Sequence, residues 1–207
     1  MSRNATPKEQ ALTPRGAATK RRIVEAAAEL IYAKGVERVS LDEVMEASSV
    51  SKSQLYHYFE NKEALVREVI EFQTVRILDV HSSHLERLDS FEDLRAWCAA
   101  VVAANNLGGG VGGCPLGSLA NGLAAQSEDA RQQLDQSFAA WSKLIEVGLT
   151  RMRKSKTIKA SADPKALAGA MLAAIQGGLL LAKTARSSKP LELALDMALS
   201  HVRYYAK

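Results

Sequence analysis

The chain has 207 residues, 47% of them apolar and only 5% aromatic, enough to bury a real core in one or two domains. Its wealth of alanine, leucine, glutamate, lysine and arginine favours an all-α fold. A net charge of +4 is compatible with nucleic acid without requiring it, and two cysteines make no disulfide framework, which fits a cytoplasmic compartment.

Met1 to Ala18 is rich in Thr, Pro, Ala and basic residues and lacks the apolar core of a signal peptide, so residues 1–18 read as a flexible arm. Arg3, Lys8 and Arg15 in it either touch DNA phosphates or stay in solvent. A first helix follows, with Ile23, Ala27, Leu30 and Ile31 at helical spacing and Gly35 where a left-handed C-terminal residue belongs. Ser40 with Glu43 forms a capping box, stapled by Val39 and Val44. Ser51 with Gln54 forms a second, stapled by Val50 and Leu55. Two capped short helices around Ala47-Ser48-Ser49-Val50 spell helix-turn-helix. The second spends Leu55 and Phe59 on its core face. Its other face carries Ser53, Gln54, Tyr56 and His57, with no carboxylate, between Lys52 and Lys62. Such a helix suits docking into a DNA groove.

These residues carry a resemblance. Lys20 to Leu65 resembles the N-terminal domain of the TetR family of bacterial transcriptional regulators, through the helix ending in Gly35, Val39-Ser40, Val50-Ser51-Lys52, Leu55-Tyr56-His57-Tyr58-Phe59 and Asn61-Lys62-Glu63-Ala64-Leu65. Two positions depart from the family pattern. Ser48-Ser49 stand where Ala-Gly is usual, and Ser53 where Gly or Ala is common. The resemblance implies that Tyr58 and Lys62 hold phosphates and that Ser53, Gln54 and Tyr56 face bases. The full expected DNA-contacting set is Ser40, Ser51, Lys52, Ser53, Gln54, Tyr56, His57, Tyr58 and Lys62. Gln54 can close its capping box or read adenine, hardly both.

A fourth helix is expected from Asn61 as N-cap to about Leu88, long enough to link the head to a second domain. Ser90-Phe91-Glu92-Asp93 opens a fifth helix, which fades at Asn105-Asn106. Gly108 to Gly113 is a flexible breaker, without the Gly-Lys-Ser/Thr ending of a phosphate loop. Cys114-Pro115 opens the sixth helix, Ser127 or Glu128 the seventh, which ends in the basic run Arg151 to Lys159. Asp163-Pro164 opens the eighth, and the ninth follows Ser187-Ser188-Lys189-Pro190 and ends near Tyr205. Ala166 to Ala182 is uncharged but short for a membrane span and rich in Ala and Gly; a buried helix is the better reading, so no membrane is expected.

Gly113 to Trp141 and Gln176 to Lys183 also resemble the C-terminal part of a TetR subgroup, which implies a helical domain that binds a small molecule and forms the dimer. The resulting expectation is an all-α protein of about nine helices. Residues 1–18 would form the arm, 19–65 the DNA-binding domain and 66–207 the effector-binding and dimerisation domain. Its partners would be double-stranded DNA with an inverted-repeat operator, an unknown small-molecule effector, and a second copy in a homodimer. The function expected is a transcriptional repressor; the alternative is a small-molecule-binding helical protein with only non-specific DNA affinity.

By the same implication the ligand is lined by Trp97, Leu116, Asn121, Phe138, Trp141, Leu144 and Gln176, although aromatic residues at helical spacing are usually plain core. The dimer is expected to use Gly169, Ala173 and Gly177 with the stripe Leu191, Leu195, Leu199 and Val202. His81 and His84 share a helix face but lack further ligands, so exposed histidines are expected and no metal or cofactor. No nucleophile motif is present and no enzyme is expected. Cys114, at a helix start beside glycines, reads as a packed thiol before a sensor.

Overall fold

A computed structural model describes residues 12–107 and 112–206. Gly108 to Val111 of the expected breaker and Met1 to Ala11 of the expected arm, with Arg3 and Lys8, lie outside them. Helix α1, Pro14–Lys34, begins inside the stretch assigned to the arm. The reason is a local N-terminus: Thr13 accepts from the Gly16 N–H, and Pro14 is preset for the first turn. Gly35 ends α1 at φ 87°, ψ 149°, a conformation open to glycine and few others. A single 3₁₀ turn, Val36–Arg38, leads into α2, Leu41–Ser48.

Helix α3 spans Lys52–Tyr58. Both expected capping boxes are present, around Ser40 with Glu43 and Ser51 with Gln54. The turn between α2 and α3 places Ser49 in the left-handed region, at φ 51° and ψ 48°. Ser48 is buried, and its hydroxyl donates to the Val44 carbonyl at 2.6 Å. Arg22 Nε donates to the Ser48 carbonyl at 2.8 Å, so α1 closes the end of α2. Ile23, Ala27, Ile31, Val44, Leu55, Phe59 and Leu65 form the core of this head.

Helix α4, Lys62–Leu85, is capped by Asn61 and ends three residues before the expected Leu88. It runs unbroken out of the head. The body adds α5, Phe91–Leu107; α6, Pro115–Leu123; α7, Glu128–Lys154; α8, Pro164–Ala185; and α9, Lys189–Tyr204. Among the described residues there is no strand, only an isolated bridge between Ile158 and Ala206. Helices α4 and α7 pack side by side, α7 against α8, and α8 against α9. Between α4 and α7, Thr74 Oγ1 donates to Ser137 Oγ at 2.7 Å in the interior. The α8–α9 approach is close: a Cβ on Gly178 would stand 2.9 Å from the Leu191 Cα.

Helix α8 is long and apolar enough by composition to cross a membrane, but nearly half of its most apolar window is buried inside the fold. The rest of its surface is a bare face, to which Gly169, Ala173, Gly177, Leu180 and Leu181 contribute.

Candidate nucleic-acid interface and effector cavity

Helix α3 is held to the head by Leu55, with Phe59 just beyond its end; both are fully buried. Lys52, Ser53, Gln54, Tyr56 and His57 are exposed, as are the caps Ser51 and Ser40. No acidic side chain lies within α3, so this face offers donors and a cation to a polyanion. Lys52 Nζ lies 5.9 Å from the centre of the Tyr56 ring, and the Ser51 and Ser53 hydroxyls are 3.0 Å apart. Gln54 Oε1 accepts from the Ser51 N–H at 2.9 Å. With its acceptor held in the capping box, Gln54 has its amide N–H₂ left to offer a base. Tyr58 and Lys62 are half-buried at the rim. The Tyr58 ring stands edge-on to His57 at 4.8 Å, and a Cβ on Gly16 of α1 would be 3.4 Å from the Tyr58 hydroxyl. Lys62 also lines a crevice of about 260 Å³ between head and body, with Val36, Val66 and Leu123.

The body holds two cavities that share Gly113 and Cys114 as a wall. One, of about 320 Å³, is lined by Asn121, Phe138 and Gln176, with Gly117, Leu180 and Lys183. The other, of about 220 Å³, is lined by Trp141 together with Tyr32, Ile77, Val80, His81, Val101, Asn105 and Leu179. The seven residues expected around one ligand therefore divide. Trp97 and Leu116 are fully buried and line neither cavity, because each is wrapped by neighbouring core. Leu144 packs partly buried against the core and also lines neither.

His81 corrects the expectation of a surface histidine. Its ring stacks on Trp141, centroids 4.7 Å apart at 14°, and stands edge-on to Trp97 at 5.9 Å. Trp97 Nε1 donates to His81 Nδ1 at 3.2 Å. Burial, helped by the nearby charge of His84, lowers the His81 pKa to about 4, so the ring is neutral at pH 7. His84 is exposed and takes no part in the cluster. No local sequence signal marks this cluster, because His81, Trp97 and Trp141 lie on three different helices, α4, α5 and α7, and meet only when these pack. Trp141 Nε1 is buried without a hydrogen-bond partner among the described residues, as is Gln176 Nε2. An unmet buried donor costs about 1–3 kcal/mol, which makes both atoms exceptional.

Tyr32 is a head residue that sequence reasoning missed. It lies near the end of α1, lines the smaller cavity, and carries Lys183 Nζ over its ring at 5.7 Å. Burial raises its pKa, and the neighbouring Cys114 raises it further. Cys114 itself is the N-cap of α6 and is buried. Burial raises the pKa of its thiol, against the lowering effect of the Gly117 N–H, which favours a packed thiol over a reactive one. At the far end of α6 a Cβ on Gly122 would come within 2.8 Å of Val36 Cγ1 in the head. Helix α6 thus spans from the cavity wall to the base of the helix-turn-helix.

The dimer residues also divide. Gly169 and Gly177 have nothing within 4 Å of a built Cβ, and Ala173 is exposed beside them. Leu191, Leu195, Leu199 and Val202 are instead buried within the chain, because α9 turns its stripe onto α8. The free side of α9 carries Leu193, Met197 and Tyr204.

Residues 23–69 match the family model for bacterial regulatory proteins of the tetR family. Residues 90–197, more than half of the chain, match the model for the C-terminal domain of LmrA/YxaF-like transcriptional regulators. The chain belongs to the TetR family. It is 30% identical to an HTH-type transcriptional regulator from the lacX 3′ region of Lactococcus lactis subsp. lactis, covering 86% of this chain and 90% of that one. The HTH-type transcriptional repressor DhaR of Mycobacterium sp. (strain GP1) is 25% identical, over 84% of this chain and 87% of that one. A regulatory protein TetR of Rhodobacter sphaeroides superposes with a TM-score of 0.80 at 24% identity, over 88% and 98% of the two chains. This TetR-family regulator is therefore a helix-turn-helix DNA-binding protein that regulates transcription.

Proposed function

We propose that this TetR-family regulator is a cytoplasmic homodimeric repressor that binds an inverted-repeat operator and leaves it when a small molecule occupies its body. The observation that carries the DNA half is the outer face of α3: five exposed residues, Lys52, Ser53, Gln54, Tyr56 and His57, on a seven-residue helix without a carboxylate. Lys52, Tyr58 and Lys62 hold phosphates, while Ser53, Gln54 and Tyr56 face base edges. Ser40 and Ser51, exposed at the starts of α2 and α3, serve as further phosphate contacts.

Residues 19–65 act as the DNA-binding unit and 66–207 as the effector and dimer unit. Two copies join through the exposed face of α8, around Gly169, Ala173 and Gly177, and the free side of α9, around Leu193 and Met197. An occupied cavity shifts α6, and Gly122 transmits the shift to Val36. The test is selection of fragments from a random DNA pool by the purified protein, followed by sequencing. An inverted repeat is expected. Enrichment without a shared sequence, with binding set only by salt, points to a protein with non-specific affinity alone.

A further inference from the structure

The larger body cavity differs from its neighbours in charge. Lys183 is the only charged residue on its wall among the described residues. The crevice between head and body mixes Lys62 and Arg67 with Glu37, Glu63 and Asp129. The smaller body cavity has no charged side chain, since His81 is neutral. Lys183 is exposed and makes no ion pair among the described residues, whereas Lys20, Lys34 and Lys143 each hold a glutamate. Its stem passes Gly113, the wall shared by the two body cavities; the Lys183 Cδ would lie 3.2 Å from a Cβ built there. The Nζ rests over the Tyr32 ring at 5.7 Å, a weak partner for a cation with three hydrogens to give. Ser118 and Asn121, three residues apart on α6, line the same cavity from one helix face. Asn121 is exposed, and neither side chain makes a hydrogen bond among the described residues. Half-buried Phe138 and exposed Leu180 supply apolar wall.

We infer that the effector is a small apolar carboxylate, held in the larger body cavity with its hydrocarbon body against Phe138 and Leu180 and its charge met by Lys183. This rests on the reading of the body as an effector domain. A carboxylate draws the exposed ammonium off the Tyr32 ring, because a charge-assisted hydrogen bond outweighs an exposed cation–π contact. Ser118 and Asn121 add neutral donors beside it. A neutral ligand forgoes the charge-assisted bond. An ammonium meets a like charge, and no carboxylate lines the cavity to receive it.

Three probes of one skeleton separate these cases: cinnamate, its neutral amide cinnamamide, and cinnamylammonium. Dissociation constants are measured by equilibrium dialysis at pH 7 on the full-length protein. Cinnamate is expected to bind at least about fivefold more tightly than cinnamamide, and the ammonium most weakly. Lys183→Gln should fold as the wild type does, because the side chain is exposed and outside any ion pair among the described residues. In it the preference for cinnamate over cinnamamide should fall towards one, while cinnamamide affinity stays. Lys183→Arg keeps the charge and should keep the preference. Equal affinity for cinnamate and cinnamamide in the wild type, tighter binding of the ammonium, or no binding of cinnamate up to its solubility overturns the inference. So does a preference that survives in Lys183→Gln, which would place the anion on another basic surface. Any of these results beside a selected inverted repeat overturns the ligand class alone. A preference that depends on Lys183 beside failed DNA selection overturns the regulatory reading and leaves the cavity chemistry standing.

Discussion

The hydroxyl of Tyr32 donates to the carbonyl of Gly113 at 3.1 Å, joining the end of α1 in the head to the segment that opens α6. A Cβ on Gly112 beside it would lie 2.5 Å from the same hydroxyl, so a side chain there would displace the tip of the Tyr32 ring. Tyr32→Phe removes the bond and keeps the ring. Thermal and urea unfolding should show a loss of about 1 kcal/mol. The sequence selected by α3 should be unchanged, because Tyr32 lies at the opposite end of the head core. Unaltered stability would show that this link carries no energy.

Ser49 occupies the left-handed region at φ 51°, where a side chain costs about 1 kcal/mol relative to glycine. Ser49→Gly should therefore raise stability by up to about 1 kcal/mol, less the entropy that glycine adds to the unfolded chain. Ser49→Val, β-branched at the same position, should lower it. Melting temperatures that fall in both variants would mean that the Ser49 side chain supports the turn.

The head was legible in the sequence because its determinants are local. Two capping boxes, two staples and one glycine fix α1 to α3 within a short span, and Ser49 could be singled out as the strained residue. The body was legible only as helices. Their breaks are written as Asp163-Pro164, Ser127 and Cys114-Pro115, but the faces they turn to one another are set by packing. Leu191, Leu195, Leu199 and Val202 form an apolar stripe that fits an inter-chain or an intra-chain partner equally well. Only the seating of α9 on α8 decides between them. Trp97 and Leu116 line neither cavity for the same reason, and Tyr32 was not legible because its cavity is built from segments eighty-one positions apart.

His81 should make the protein acid-sensitive in a defined window. Its folded pKa, about 4, lies below the ordinary 6.5, so the unfolded chain binds a proton that the folded one refuses between these values. Stability is thus fully present above about pH 6.5 and falls as the pH drops to about 4, by on the order of 2–3 kcal/mol. His81→Gln can still accept from Trp97 but does not titrate. The difference in pH dependence between wild type and variant, from urea midpoints across this range, isolates the contribution of His81 from that of the carboxylates. Parallel curves would mean that the ring is protonated in the folded state.

Ala173 and Leu195 separate a free face from a core face. Ala173 lies exposed on α8 between Gly169 and Gly177, whereas Leu195 is 2% exposed and packed inside the chain. Ala173→Arg should fold with unchanged helical content, because its side chain enters solvent. In a two-fold interface built on bare backbone, however, the two arginines meet, and sedimentation at micromolar concentration should give a monomer. Operator affinity should then fall by at least tenfold, as one head alone reads half a palindrome. Leu195→Arg should instead cost more than about 4 kcal/mol by burying a charge in the core, and yield little folded protein. A folded, dimeric Ala173→Arg would move the dimer interface away from this face of α8.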